Sequence, residues 1–188
     1  MFKRFGLFLC GVCTIAALTS CGGEDLGGGI GEFTTVNATA TADTLRLESD
    51  LLTGNTCPAT TGQFSTDTVT VNFASTSQFP TGGLNLLISG ITVRYTPNPA
   101  ASTSAPPALP SFTVNYSTGV APGTPVPIPV PVMPESYKAS LASQALPPCS
   151  GELFEYFVEI VFRVSEPGGN GSTRDVKANL NVAIADRN

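Results

Sequence analysis

Between Phe154 and Ile184 apolar and polar residues alternate with a period of two, and this alternation restricts the fold more than any other feature of the chain. Phe154, Tyr156, Val158, Ile160, Phe162 and Val164 form one such set, and Val176, Ala178, Leu180, Val182 and Ile184 form another. Successive side chains of a strand point to opposite faces, so an extended chain gathers each set on one side, whereas a helix would scatter it. The two runs are separated by Pro167-Gly168-Gly169-Asn170-Gly171, whose glycines and asparagine tolerate the positive φ of a tight reversal. A long C-terminal β-hairpin is therefore expected. Its other face carries Glu155, Glu159, Arg163, Asp175 and Lys177. One register sets Arg163 against Asp175, and a slip by two sets Glu159 against Lys177. Exposed pairs of this kind contribute little in either case.

The same periodicity recurs upstream in Val36-Ala38-Ala40-Ala42, in Val69-Val71-Phe73, in Ile91-Val93-Tyr95 after the apolar run Leu86-Leu87-Ile88, and in Phe112-Val114-Tyr116. Leu45 and Leu47 continue the first run after a kink. The chain is thus expected to be all-β, a two-sheet antiparallel sandwich of about seven or eight strands with immunoglobulin-like topology, ending in the long hairpin. A single barrel is the alternative. The tryptophan and the cysteine spacing of antibody domains are absent, so the likeness is one of architecture.

Pro125, Pro127, Pro129 and Pro131 alternate with Val126, Ile128, Val130 and Val132. In a strand, alternate amides point to the same neighbour, so same-parity prolines remove every donor along one edge and keep those along the other. The expectation is an edge strand that faces Val and Ile to the core and cannot template another chain; the alternative is a free polyproline II segment. Residues 97–110 are nearly all Pro, Ala, Ser, Thr and Asn and read as a solvated spacer, with a binding loop as the alternative. Tyr137, Leu141 and Ala145 follow Pro134 at helical spacing, which predicts one short helix over 135–146.

The N-terminus carries an address. Lys3 and Arg4 precede an apolar stretch from Phe5 to Ala17, which at about 13 residues is short of the ~20 needed to span a bilayer as a helix. Leu18-Thr19-Ser20-Cys21 closes the stretch and resembles the lipobox of bacterial lipoproteins. That resemblance implies removal of residues 1–20 as a signal peptide and acylation of Cys21; the alternative is an ordinary secretory signal with a chance cysteine. Acyl chains contribute ~0.8 kcal/mol per buried CH₂, so two or three hold a protein at the membrane. Gly22, rather than Asp, follows the cysteine, which in enterobacterial lipoproteins favours the outer membrane, while Glu24 and Asp25 read as charge on a soluble tether, with a resemblance to the acidic surface-export signal of some lipoproteins as the alternative. As a whole, the chain resembles bacterial lipoproteins of unassigned activity with sandwich domains. Residues 21–32 read as a glycine-rich tether, in which Gly22 to Gly31 has an r.m.s. reach of about 18 Å, and 33–188 as a single β-sandwich domain.

Cys10 and Cys13 form a C-x-x-C within the leader and leave with it. With Cys21 taken by lipid, Cys57 and Cys149 remain, an even pair expected to form a disulfide in an oxidising envelope, with two buried thiols as the alternative. Bridging them closes a loop of ~93 residues, worth about 4.6 kcal/mol on chain-entropy grounds.

Loss of the leader leaves 7 bases against 14 acids, a charge of about −7. Such a surface repels nucleic acid, which is recognised through clustered Lys and Arg. The chain contains no histidine, which removes Ser-His-Asp and Cys-His machinery and His-ligated zinc. Glu155 and Glu159 lie about 13 Å apart along a strand at ~3.3 Å per residue, too far for a glycosidase pair, and read as a solvated face. Gly168-Gly169-Asn170-Gly171 occurs once and lacks the aspartate of a calcium-binding repeat. Ser136 and Ser140 flank Lys138 without the strand and oxyanion context of a Ser-Lys enzyme. No cofactor or metal is expected. The sequence thus points to a non-enzymatic envelope lipoprotein, attached to the membrane through its lipid and presenting its sandwich to an envelope protein partner. The alternative is a carbohydrate- or peptide-binding module using Tyr95, Tyr116 or Tyr137.

Overall fold

The computed structural model describes residues 30–58 and 61–187. Two sheets pack face to face. The first runs in the order β1 (Ile30–Glu32), β2 (Val36–Ala42), β4 (Asp67–Ser77), β8 (Val126–Met133), all antiparallel. The second runs β3 (Arg46–Asp50), β10 (Thr173–Ala185), β9 (Leu153–Ser165), β5 (Leu86–Pro97), β6 (Phe112–Val114), with β7 (Thr118–Val120) also on β5. Among the described residues one α-helix, α1 (Glu135–Gln144), lies between β8 and β9. Among the described residues no helix is long and apolar enough to cross a membrane.

The alternating sets become the core as expected. Val36, Ala38 and Ala40, Val69, Val71 and Phe73, and every apolar residue of the two hairpin sets are buried, and Phe73 meets Phe162 edge-on across the sheets at 5.4 Å. The run Leu86-Leu87-Ile88 also alternates, with Leu86 and Ile88 buried and Leu87 exposed. A bulge between Ile88 and Gly90 then inserts one residue, so the buried face passes from even to odd numbers at Ile91 and Val93. In the hairpin Arg163 stands opposite Asp175, while Lys177 reaches diagonally to Glu159 at 2.7 Å, so that both alternatives are partly realised.

Four features depart from the sequence-based expectation. The second sheet is mixed rather than antiparallel, because β3 runs parallel to β10. Leu45 and Leu47 do not continue β2: residues 43–45 carry the chain from one sheet to the other, and Leu47 belongs to β3. Strands number ten among the described residues, since the short β1 and β7 add to the alternating runs. Ile30–Glu32, read as the end of the tether, are already paired with β2.

The proline segment is β8. Among the described residues it pairs only with β4, setting Pro127, Pro129 and Pro131 opposite Asn72, Thr70 and Thr68 and burying Ile128, Val130 and Val132. Its other edge offers the proline carbonyls and no donor, so a second strand finds half of its hydrogen bonds missing there.

The sandwich has two distinct ends. At the turn pole lie the loop between β4 and β5, residues 121–125 and the β9–β10 turn. At the helix pole lie α1, the segment between β5 and β6, and the two cysteines.

Candidate functional site

The helix pole gathers most of the residues that the sequence singled out. Pro134 precedes α1, the Thr66 hydroxyl accepts the Glu135 N–H at 3.2 Å, and Pro147-Pro148 follows the helix end. Leu141 and Leu146 are buried against the sandwich, and so is Lys138, which has no exposed surface. Its ammonium donates to the Asp50 carbonyl at 2.7 Å and lies 3.0 Å from Asp67 Oδ2. A Ser-Lys arrangement is thereby excluded, because Ser136 and Ser140 are exposed on the opposite side of the helix and the amine is turned inward. Lys138 fastens α1 to β3 and β4. The sequence hint was its position: Pro134, Lys138, Leu141 and Ala145 repeat every three to four residues and form one helical stripe.

Residues 97–110 do not form a solvated spacer. Pro106 is buried, the Tyr156 hydroxyl donates to the Pro107 carbonyl at 3.0 Å, and the Tyr137 hydroxyl donates to the Pro110 carbonyl at 2.9 Å. Thr103 exchanges hydrogen bonds with Leu153. The physical reason is that prolines leave carbonyls without internal donors, and tyrosines on β9 and α1 supply them.

Of the three tyrosines considered for ligand contact, two come together. Tyr95 packs against Tyr137 at 5.7 Å, with Phe112 and Tyr156 completing the cluster at 6.4 and 6.3 Å from Tyr95. Its hydroxyl donates to the Val132 carbonyl at 2.8 Å. Burial, and secondarily the Tyr137 hydroxyl, pushes the Tyr95 phenol far above its ordinary value, so it remains a donor. Burial raises Tyr156 and Tyr137 as well. Tyr116 sits apart and half-buried against the core. Only Tyr137 lines the adjoining groove, about 260 Å³, between Pro107, Leu109 and Pro110 and the helix residues Ser140 and Gln144. That volume falls just below the ~300–1,000 Å³ of ordinary ligand pockets. It suits one side chain rather than a whole ligand.

Cys57 and Cys149 are bonded. Cys149 adopts a positive φ of 63° after the two prolines, and the Asp186 carboxylate holds it there by accepting its N–H. Asn55 Nδ2 donates to both Asp186 oxygens at 2.9 Å. The two sulfurs and Asp186 are grouped closely enough to suggest a metal cluster. With both sulfurs in the disulfide, one carboxylate remains, too few ligands to hold an ion. The lipidation candidate Cys21 lies outside the described residues.

Glu155 is not solvated. It is buried, 3.2 Å from Arg46 Nη2 and 3.2 Å from the Asn98 amide that donates to it. Glu159 pairs with Arg94 at 3.2 Å and with Lys177. Cross-strand neighbours and the turn at Pro99–Ala101 cover Glu155, which strand spacing alone does not reveal.

At the turn pole Glu166, which the sequence did not distinguish, has no exposed surface. The N–H groups of Thr34 and Thr35 donate to its two oxygens at 2.9 and 3.1 Å, and the Thr35 hydroxyl donates as well. Burial by itself pushes this carboxyl up; the hydrogen bonds from Thr35 and Thr34 outweigh it and hold the group below the usual carboxylate range. Thr35 is in turn fixed to the next loop, whose Leu84 N–H donates to its hydroxyl at 2.9 Å and whose Gln78 N–H donates to its carbonyl at 2.9 Å.

No protein-family model matches the sequence, and no curated protein matches it.

Proposed function

We propose that this chain is an envelope lipoprotein, attached through an acylated Cys21 and oriented to the outer membrane, whose sandwich is a non-catalytic structural or interaction module. The observation that carries this reading is the sequence Leu18-Thr19-Ser20-Cys21 at the end of a short apolar leader. The Cys57–Cys149 bond supports it, since disulfides persist outside the reducing cytoplasm. Three buried groups that acid-base chemistry could draw on are committed to the fold: Lys138 to Asp67 and Asp50, Glu155 to Arg46, Glu166 to Thr34 and Thr35.

Strand order supports an immunoglobulin-like reading of the sandwich. Lettered in chain order, β2-β4-β8 follows A-B-E and β10-β9-β5 follows G-F-C, the arrangement of that architecture without its D strand. The disulfide joins loops of the helix pole rather than the B and F strands. The groove beside Tyr137 favours a second reading, capture of a peptide side chain, with the Pro107–Pro110 wall and the aromatic ring as its sides.

Membrane fractionation of wild type and Cys21→Ala tests the anchor. The variant is expected in the soluble fraction, and a variant that stays membrane-bound contradicts the reading. Crosslinking in intact cells with mass spectrometry of the neighbours separates the roles. A reproducible protein neighbour lost on Tyr137→Ala supports the groove as the contact, whereas glycan neighbours alone turn the assignment toward a carbohydrate-binding module.

A further inference from the structure

The turn pole has an unusual surface for so acidic a chain. Its loops, residues 78–85, 121–125 and 167–172, contain no charged residue. Glu166, which borders them, is covered. The loops converge: a Cβ on Gly83 would lie 3.0 Å from Pro122, and one on Gly168 would lie 3.2 Å from Leu84. From this cap projects Phe79, 55% exposed, followed by exposed Pro80. The projection is built in. Gln78 Nε2 donates to the Phe33 and Val36 carbonyls, Leu84 N–H is held by Thr35, and the Ser77 hydroxyl donates to the Phe79 carbonyl at 2.7 Å. Residues 79–83 therefore stand out from a base that Thr35 and Glu166 tie to β1, β2 and β9. Exposed Arg163, Arg174 and Asp175 stand on β9 and β10 just behind these loops, with Asp175 opposite Arg163, so the uncharged surface is that of the loops themselves.

The tether selects between the poles. This step rests on the proposed acylation of Cys21. The nine residues from Cys21 to Ile30 reach at most about 30–32 Å when fully extended. Ile30 is level with Thr39 and, through it, Ala74, three residues from the Ser77 end of β4 and seven from the Asp67 end. At ~3.3 Å per residue the turn pole begins about 10 Å from Ile30 and the helix pole about 23 Å away. The thickness of α1 adds ~10 Å to the second distance. The chain enters β1 from the helix-pole side and must double back, yet a cysteine held at headgroup level still leaves the turn pole within the tether's reach of the bilayer, whereas the helix pole meets it only at the limit of extension.

We infer that the turn pole is a lipid-facing surface, with Phe79 and Pro80 inserted at the headgroup boundary and the helix pole, with its groove and disulfide, directed away from the membrane. The contact is apolar and needs no anionic lipid, because the loops that make it contain no Lys or Arg.

The chain contains no tryptophan, so single reporters are unambiguous. The acylated full-length protein carrying Phe79→Trp, Ser104→Trp at the helix pole or Asn72→Trp on the outer face of the first sheet is reconstituted into phosphatidylcholine vesicles. The acyl chains are brominated near the headgroup. Circular dichroism verifies folding of each variant. Several-fold stronger quenching at position 79 than at 104 and 72, unchanged in high salt, is the expected result. Quenching greatest at 104 or 72, or at none of the three, in protein that floats with the vesicles overturns the orientation while leaving the anchor intact. Protein that does not float overturns the anchor and the orientation with it.

Discussion

Glu166 and Lys138 stand at opposite ends of one sandwich, both without exposed surface, and the fold accommodates their charges differently. Glu166 is surrounded by donors, backbone N–H groups and a hydroxyl that carry partial charge only. Lys138 is matched by a full opposite charge on Asp67 and by the Asp50 carbonyl. Peptide dipoles are already committed to the fold and need no further desolvated ion, whereas an ion pair requires a second charge to leave water. The turn pole is therefore a hydrogen-bonded scaffold for a projecting loop, and the helix pole is an electrostatic and covalent clamp on a helix that would otherwise attach by a few apolar side chains.

If that contrast is right, the largest loss should come from leaving one member of the ion pair alone. Lys138→Ala is expected to cost about 3–5 kcal/mol, toward the lower end because Asp67 is 23% exposed. Denaturant unfolding checks it, with Lys138→Met alongside. A methionine that keeps the packing and costs as much as alanine would show that charge, not volume, holds the helix. Next in size, Cys57→Ser with Cys149→Ser should lower stability by roughly 2–4 kcal/mol, seen as a lower denaturation midpoint relative to the oxidised protein. A loss confined to protease sensitivity at α1 would show that the bridge guards one pole rather than the whole domain.

At the other pole, Glu166→Gln should cost about 1.5–3 kcal/mol, the range for hydrogen bonds to a charged group. Its pH signature is distinctive. A carboxyl held below its unfolded value of ~4.3 stabilises the fold above that pH and loses its contribution as pH falls through the lower folded value. Melting temperatures of wild type and variant should therefore differ most near neutral pH and converge below about pH 4. A constant difference across that window would remove the carboxylate from the account. The smallest effect is expected at the rim: Tyr137→Phe should cost roughly 0.5–1.5 kcal/mol through the lost bond to Pro110, without moving the acid limb.

The legible part of this molecule is what repeats along the chain. Alternation located the hairpin and the central strands, proline parity placed β8 at an edge, and the cysteine count paired Cys57 with Cys149. Each signal is carried by neighbours in sequence, because side-chain direction in a strand and the missing proline donor are local properties. The helix was legible for the same reason.

What stayed illegible is what depends on cover. Glu155 and Glu166 look like ordinary solvated charges with nothing near them in sequence to tell otherwise, and for Lys138 the helical stripe is the one local hint. Their partners lie far away: Asp67 and Asp50, Arg46 and Asn98, Thr34 and Thr35. The proline-rich segment after β5 likewise seemed free until tyrosines from β9 and α1 supplied its donors. The sheet switch at residues 43–45 belongs here too, since the parallel partner of β3 is the last strand of the chain. By itself the sequence determined which segments are strands and which face of each is apolar, because those follow from a two-residue period. Only the tertiary structure decided which charges are buried and which loops are fixed, because burial and hydrogen-bond satisfaction depend on groups that folding alone brings together.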